Sequence, residues 1–268
     1  VDAFFFAPAE APAVRMFRIA LAGMLAFVFW PRGSGPAAKV LRHPVLAELY
    51  ESIVMTPTYW GVILVVLALF AIGWHSRLGA VLLFLLLFPL NHLERGIQSG
   101  HVMLVALGCF AWLRSGERAL RTTGPGPIWP IQLIRLQLTF VYALNALWKS
   151  TPHYLSGDAL VGMSERLPNF IASFSDGYWH VGPLAIPVAV AAVASTLTEA
   201  FLAVGFWFPR TRRYAVVAGV AFHLVLQQIV RIFMLDLATM FLYLAFLLPF
   251  TPRAAAMPNP RSDRGIEP

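Results

Sequence analysis

Between positions 132 and 149 the chain sets Gln132, Arg135, Tyr142, Asn145 and Lys149 into an otherwise apolar run. At about 100° per residue these side chains fall on one face of a helix, all within roughly 80° of Arg135, while Gln137 points the other way. A lysine among such groups can act as a base, and the other polar side chains can shape a pocket around a ligand by hydrogen bonds. Further along, Glu199 sits among Ser195, Thr196 and Thr198, and His223 and Gln227 stand four residues apart with Arg231 beyond them. An ionisable group in apolar surroundings must be paired, neutralised or set against a wet cavity.

Two readings of the polar face stay open. It is either a hydrogen-bonded seam that joins helices or the lining of a cavity, and an arginine with a lysine on one face favours the cavity, since a seam needs neither. Glu199 likewise has two roles open: an ion pair with Arg135 or Arg231 that fixes packing, or a place in the site. His92, Glu94 and His101 match no compact zinc pattern, and no metal site is expected. There is no phosphate-binding loop, serine-nucleophile elbow or dinucleotide fingerprint, which argues against chemistry with soluble cofactors.

The elements that must position these groups follow from composition. Of 268 residues, 59% are hydrophobic and 12% charged, with a mean hydropathy of +0.70. Runs such as Trp60 to Trp74 and Leu78 to Leu90 exceed what soluble cores of this length can hide, and disorder is excluded on the same ground. The expected fold is all-α, a polytopic membrane helix bundle of about eight transmembrane helices at 14–30, 59–74, 78–92, 101–113, 128–148, 184–208, 214–232 and 234–250. The third and fourth fall short of the roughly 20 residues that span a bilayer, so their flanks extend them or they form a re-entrant pair. Arg15 and Arg18 at the start of the first run, with no cleavage site after it, read as a retained helix.

The net charge of +7 comes from short basic clusters between the apolar runs, a pattern of membrane orientation and not of nucleic-acid binding. Arg77, then Arg114, Arg118 and Arg121, then Arg210, Arg212 and Arg213 fall on the richer side, which places both termini in the cytoplasm. The connections 31–58 and 149–183 then lie outside. The first suits a surface helix, and the second is long enough to cover or line something. Residues 1–250 form one transmembrane domain, and 251–268 read as a disordered basic cytoplasmic tail. Cys109 is the lone cysteine, so no intramolecular disulfide is available. Neither inverted repeats nor broken helices of the transporter kind are evident.

Four blocks bring a family into view: Phe4-Phe5-Phe6-Ala7-Pro8 leading to Phe17-Arg18-Ile19; Gly100-His101-Val102-Met103-Leu104; Arg135-Leu136-Gln137-Leu138 through Tyr142 to Trp148-Lys149 and Gly157-Asp158-Ala159-Leu160; and Glu199 followed by Phe222-His223. In order and spacing, from about residue 3 to residue 250, they resemble the horizontally transferred transmembrane (HTTM) domain, the membrane core shared with vitamin K-dependent gamma-glutamyl carboxylase. The resemblance implies an extracytoplasmic-facing pocket for a quinone or hydroquinone. It implies Lys149 as base, with His101 and His223 assisting, and Arg135, Tyr142, Asn145, Glu199 and Gln227 shaping the pocket. A lysine withdrawn from bulk water can serve as a base near neutral pH. The family's adjacent lysine pair is reduced here to Trp148-Lys149, and its lumenal substrate-gripping domain has no counterpart in 251–268, so glutamate carboxylation by this chain alone is not expected. The other expectation is a non-catalytic subunit that binds lipid or pigment within a larger respiratory or photosynthetic membrane complex. The expected partners are membrane lipid and other membrane subunits, in a bacterial inner membrane.

Overall fold

The computed structural model describes residues 11–29, 48, 52–53, 56–93, 98–112, 127–166, 172, 174–181, 183–230 and 233–248. These are mostly helical. In chain order they form α1 (Ala11–Phe29), α2 (Pro57–Ile72), α3 (Ser76–Leu93), α4 (Gln98–Ala111), α5 (Trp129–Lys149), α6 (Pro152–Leu155) and α7 (Asp158–Arg166). Three strands follow, β1 (Phe174–Ser175), β2 (Tyr178–Val181) and β3 (Leu184–Pro187), and then α8 (Val188–Gly205), α9 (Arg212–Leu226), α10 (Phe233–Leu242) and α11 (Leu244–Leu247).

Local chemistry explains the boundaries. The side chain of Thr56 accepts a hydrogen bond from the Tyr59 amide and Pro57 occupies the first turn of α2, where its missing N–H is harmless. The helix stops at Gly73, which adopts a φ of 90° and donates to Leu69 and Phe70, while Trp74 donates back to Leu69. The Arg18 guanidinium lies against Gly73, and its Nε donates to the Ala71 carbonyl at 3.3 Å. A side chain at 73 would both strain the backbone and displace that guanidinium.

Helix α8 runs along α5 in the most extensive helix pairing, and α3 pairs with α4 and α2. One apolar core joins these helices through Phe17, Phe70, Phe110, Leu138, Leu202 and Phe246. Two helical segments, Pro12–Phe29 and Val188–Gly205, are long and apolar enough to cross a membrane; Pro57–Ile72, Ser76–Pro89, Val102–Ala111 and Leu235–Leu247 are apolar but shorter. Large apolar side chains also face outward on successive helices, among them Val65, Leu85, Phe140, Leu144, Leu197 and Val217.

Several expected boundaries move. The third helix is extended by its flanks to Ser76–Leu93, with Pro89 inside it, while the fourth remains short at Gln98–Ala111. The helix expected over 184–208 begins only at Val188, because Leu184–Pro187 pairs antiparallel with Tyr178–Val181 and its backbone is already satisfied there. The β1–β2 hairpin turns at Asp176 and Gly177, both at positive φ, the Asp-Gly chemistry of a tight hairpin. The expected all-α fold thus carries a three-stranded sheet inside the 149–183 connection and its continuation. The helix expected over 214–232 ends at Leu226, and the last is interrupted at Tyr243. The surface helix expected within 31–58 lies almost wholly outside the described residues, and the tail 251–268 lies outside them altogether.

Candidate functional site

The polar face of α5 divides along its length. Near its start, Arg135 donates through Nε to the Ala245 carbonyl at 2.7 Å and through a terminal nitrogen to Gln132 Oε1 at 3.1 Å, with its guanidinium 5.4 Å from the Phe246 ring centre. This ties α5 to α11. Gln137, on the other side of the helix, donates to the Val102 carbonyl of α4 at 3.3 Å. Further on, Tyr142, Asn145 and Lys149 turn towards a cavity of about 1260 Å³.

Helices α5, α8, α9 and α10 build most of the wall of that cavity, and Val102 of α4 completes it. Its cover comes from the long connection, through Tyr154 of α6, Leu160 and Met163 of α7, Trp179 of β2 and Ile186 of β3. The cover is anchored where Gly157, at a φ of 92°, lies so close to Val188 and Ala189 that a Cβ could not fit. Most of the lining is apolar, and the ionisable groups are few and convergent, the usual character of a small-molecule site.

Those groups form two clusters. In the first, Lys149 Nζ lies 2.9 Å from Glu199 Oε2 and donates to Ser195 Oγ at 3.1 Å. Ser195 and Glu199 are one turn apart on α8 and so present one edge to Lys149 at the end of α5. The ammonium also stands 5.5 Å from the Tyr154 ring centre and 5.9 Å from that of Phe222, distances at which aromatic faces stabilise a cation. In the second cluster His223 lies between Tyr142, with its Nε2 2.8 Å from the hydroxyl, and Asp236, with its Nδ1 2.7 Å from Oδ1. The Tyr142 hydroxyl in turn meets that of Tyr243.

The fold therefore brings Tyr142, Asn145, Lys149, Glu199 and His223 to one cavity. It does not bring Arg135 or Gln227 there. Arg135 is engaged with α11, and Gln227 caps the end of α9, its backbone N–H donating to the His223 carbonyl. The expected pairing of Glu199 with Arg135 is not formed, since Lys149 takes that place; Arg231, the other partner considered, lies outside the described residues. His92 and His101 fall on α3 and α4, with side chains outside what is described, and Glu94 is outside entirely. Among the described residues no three His, Cys, Asp or Glu side chains stand together as a metal-binding group.

Sequence reasoning missed Asp236 and Tyr243. Asp236 carried the same signal that marked Glu199, a lone carboxylate in an apolar segment. Tyr243 carried none, because its role comes from the break between α10 and α11. In chemical terms the site offers a lysine–carboxylate pair and a tyrosine–histidine–aspartate chain in the lining of an apolar chamber, an arrangement suited to moving protons on an amphiphilic ligand. Comparison with protein-family models, with characterised proteins and with solved structures gives no match in any of the three.

Proposed function

We propose that this chain is a multi-pass membrane protein of about eight transmembrane helices, related to the HTTM domain, that binds a quinone, hydroquinone or similar lipid-soluble molecule with Lys149 as its base. The single observation that carries the reading is the cavity: apolar walls that suit a ring and a prenyl tail, with Lys149 and Glu199 paired among its lining residues. Apolar side chains exposed on successive helices support the membrane reading, since water would penalise such a surface and lipid does not. The basic loops on one side support cytoplasmic termini.

The pair gives Lys149 a route to the free amine. Passing its proton to Glu199 leaves both groups neutral, and the amine can then take a proton from a ligand hydroxyl and stand as an ammonium beside the new anion. Tyr154 and Phe222, which flank the ammonium, stabilise it in that state. Asn145, on the same face of α5, lines the cavity and hydrogen-bonds Glu199, which supports a role in holding that carboxyl group beside Lys149. Quinone redox chemistry is supplied by the ligand itself.

Purification from membranes in mild detergent, with mass spectrometry of bound small molecules and accompanying proteins, tests this. A quinone or prenyl lipid should travel with the native chain and be lost from Lys149→Ala. An unchanged amount of bound lipid in that variant removes Lys149 from the site. Stoichiometric partner proteins with no bound small molecule would instead make the chain a structural subunit of a membrane complex.

A further inference from the structure

The second ionisable cluster is not used by the Lys149–Glu199 pair. His223 and Asp236 are 5% and 1% exposed, and both face the cavity together with Tyr142. Asp236 uses Oδ1 towards His223, while its buried Oδ2 has no hydrogen-bond partner among the described residues. With Asp236 taken as a carboxylate, which only accepts hydrogen bonds, the proton between these two residues belongs to Nδ1 of His223. In a neutral imidazole Nε2 is then an acceptor, and the Tyr142 hydroxyl must donate to it. That leaves the Tyr243 hydroxyl as donor to the Tyr142 oxygen. On that assignment every hydrogen bond of the chain points towards Asp236. The far end is held by close packing, since a Cβ at Gly219 of α9 would run into the Tyr243 ring and hydroxyl.

We propose that Asp236 is a positioning residue of this cavity: it holds His223 in the form protonated at Nδ1 and so makes Nε2 a second proton acceptor, beside Lys149. Its use in the site rests on the ligand-binding reading above. A ligand hydroxyl would give its proton to the Tyr142 oxygen as Tyr142 gives its own to Nε2. One ligand O–H bond breaks, one N–H bond forms, the tyrosine is restored, and the imidazolium faces the Asp236 carboxylate. No oxidant or reductant enters the step.

The test is nuclear magnetic resonance of the full chain in detergent with isotopically labelled histidine ring nitrogens, using His223→Gln to assign the His223 signals. The native chain should show a protonated Nδ1 and an unprotonated Nε2. Asp236→Leu should lose this pattern, and Asp236→Asn, whose amide oxygen still accepts from Nδ1–H, should keep it. An Nε2-protonated His223 in the native chain overturns the proposal, and that measurement stands even where Asp236→Leu does not fold. Unchanged ring signals in a folded Asp236→Leu overturn it too. The expected tautomer in a chain that carries no bound lipid would sink the ligand reading and leave the positioning role intact.

Discussion

The two ends of α5 carry similar polar side chains on one face and put them to different ends. Arg135 reaches a backbone carbonyl of α11 and a glutamine one turn back on its own helix, so its hydrogen bonds go to packing. Lys149 reaches a carboxylate and a hydroxyl of α8 beside open volume. The difference lies in the partner. A cation that finds a main-chain acceptor joins helices, whereas one that finds another ionisable side chain at a cavity keeps a proton available for exchange.

The largest effect should come from Lys149→Met, which leaves Glu199, 3% exposed, without its cation. Removing one partner of a buried pair costs roughly 3–5 kcal/mol, and the 16% exposure of the Lys149 side chain argues for about 3 or less here. Lys149→Met with Glu199→Leu should recover most of that loss in detergent unfolding while bound lipid stays absent. A double variant as unstable as the single one would mean that the pair is not what links α5 to α8.

Arg135→Met should come next, at about 2 kcal/mol, because it takes the donor from the Ala245 carbonyl and removes a hydrogen bond to Gln132 in a packed interface. Bound lipid should be unaffected. Arg18→Met extends the comparison to a third cation, one that donates to the Ala71 carbonyl, and it should lower stability by about 1–2 kcal/mol with lipid again retained. Loss of lipid from either variant would break the distinction between packing and site cations. The smallest effect belongs to Gln137→Leu, within about 1 kcal/mol, since one long hydrogen bond is lost but the buried Oε1, without a partner among the described residues, is removed with it. A large loss there would show that the far side of α5 matters as much as its polar face.

Much of this was legible in the chain. The apolar runs mark most of the long helices to within a few residues, and the spacing of Tyr142, Asn145 and Lys149 puts them on one face whatever they meet. Glu199 announced itself as a carboxylate in need of a partner. The identity of that partner was not legible, because Arg135 and Lys149 lie on the same face and only the register of α8 along α5 chooses between them. Gln227 keeps the helical spacing from His223 at the cap of α9 but is not among the residues that line the cavity, and spacing alone does not show which positions reach it. The β3 strand was hidden because Leu184–Pro187 is apolar enough to read as the start of a helix, yet it pairs with β2, the strand just before it in the chain.

By itself the sequence determined the helical, apolar character of the molecule and the polar stripe along α5, because both depend on residue type and on the fixed repeat of the helix. Only the tertiary structure decided which charges meet, that Tyr154, Leu160, Met163, Trp179 and Ile186 line one cavity with them, and that Asp236, His223, Tyr142 and Tyr243 form one hydrogen-bonded chain. Those are contacts between segments far apart in the chain, and they follow from how helices slide and stop against one another, which no local spacing records.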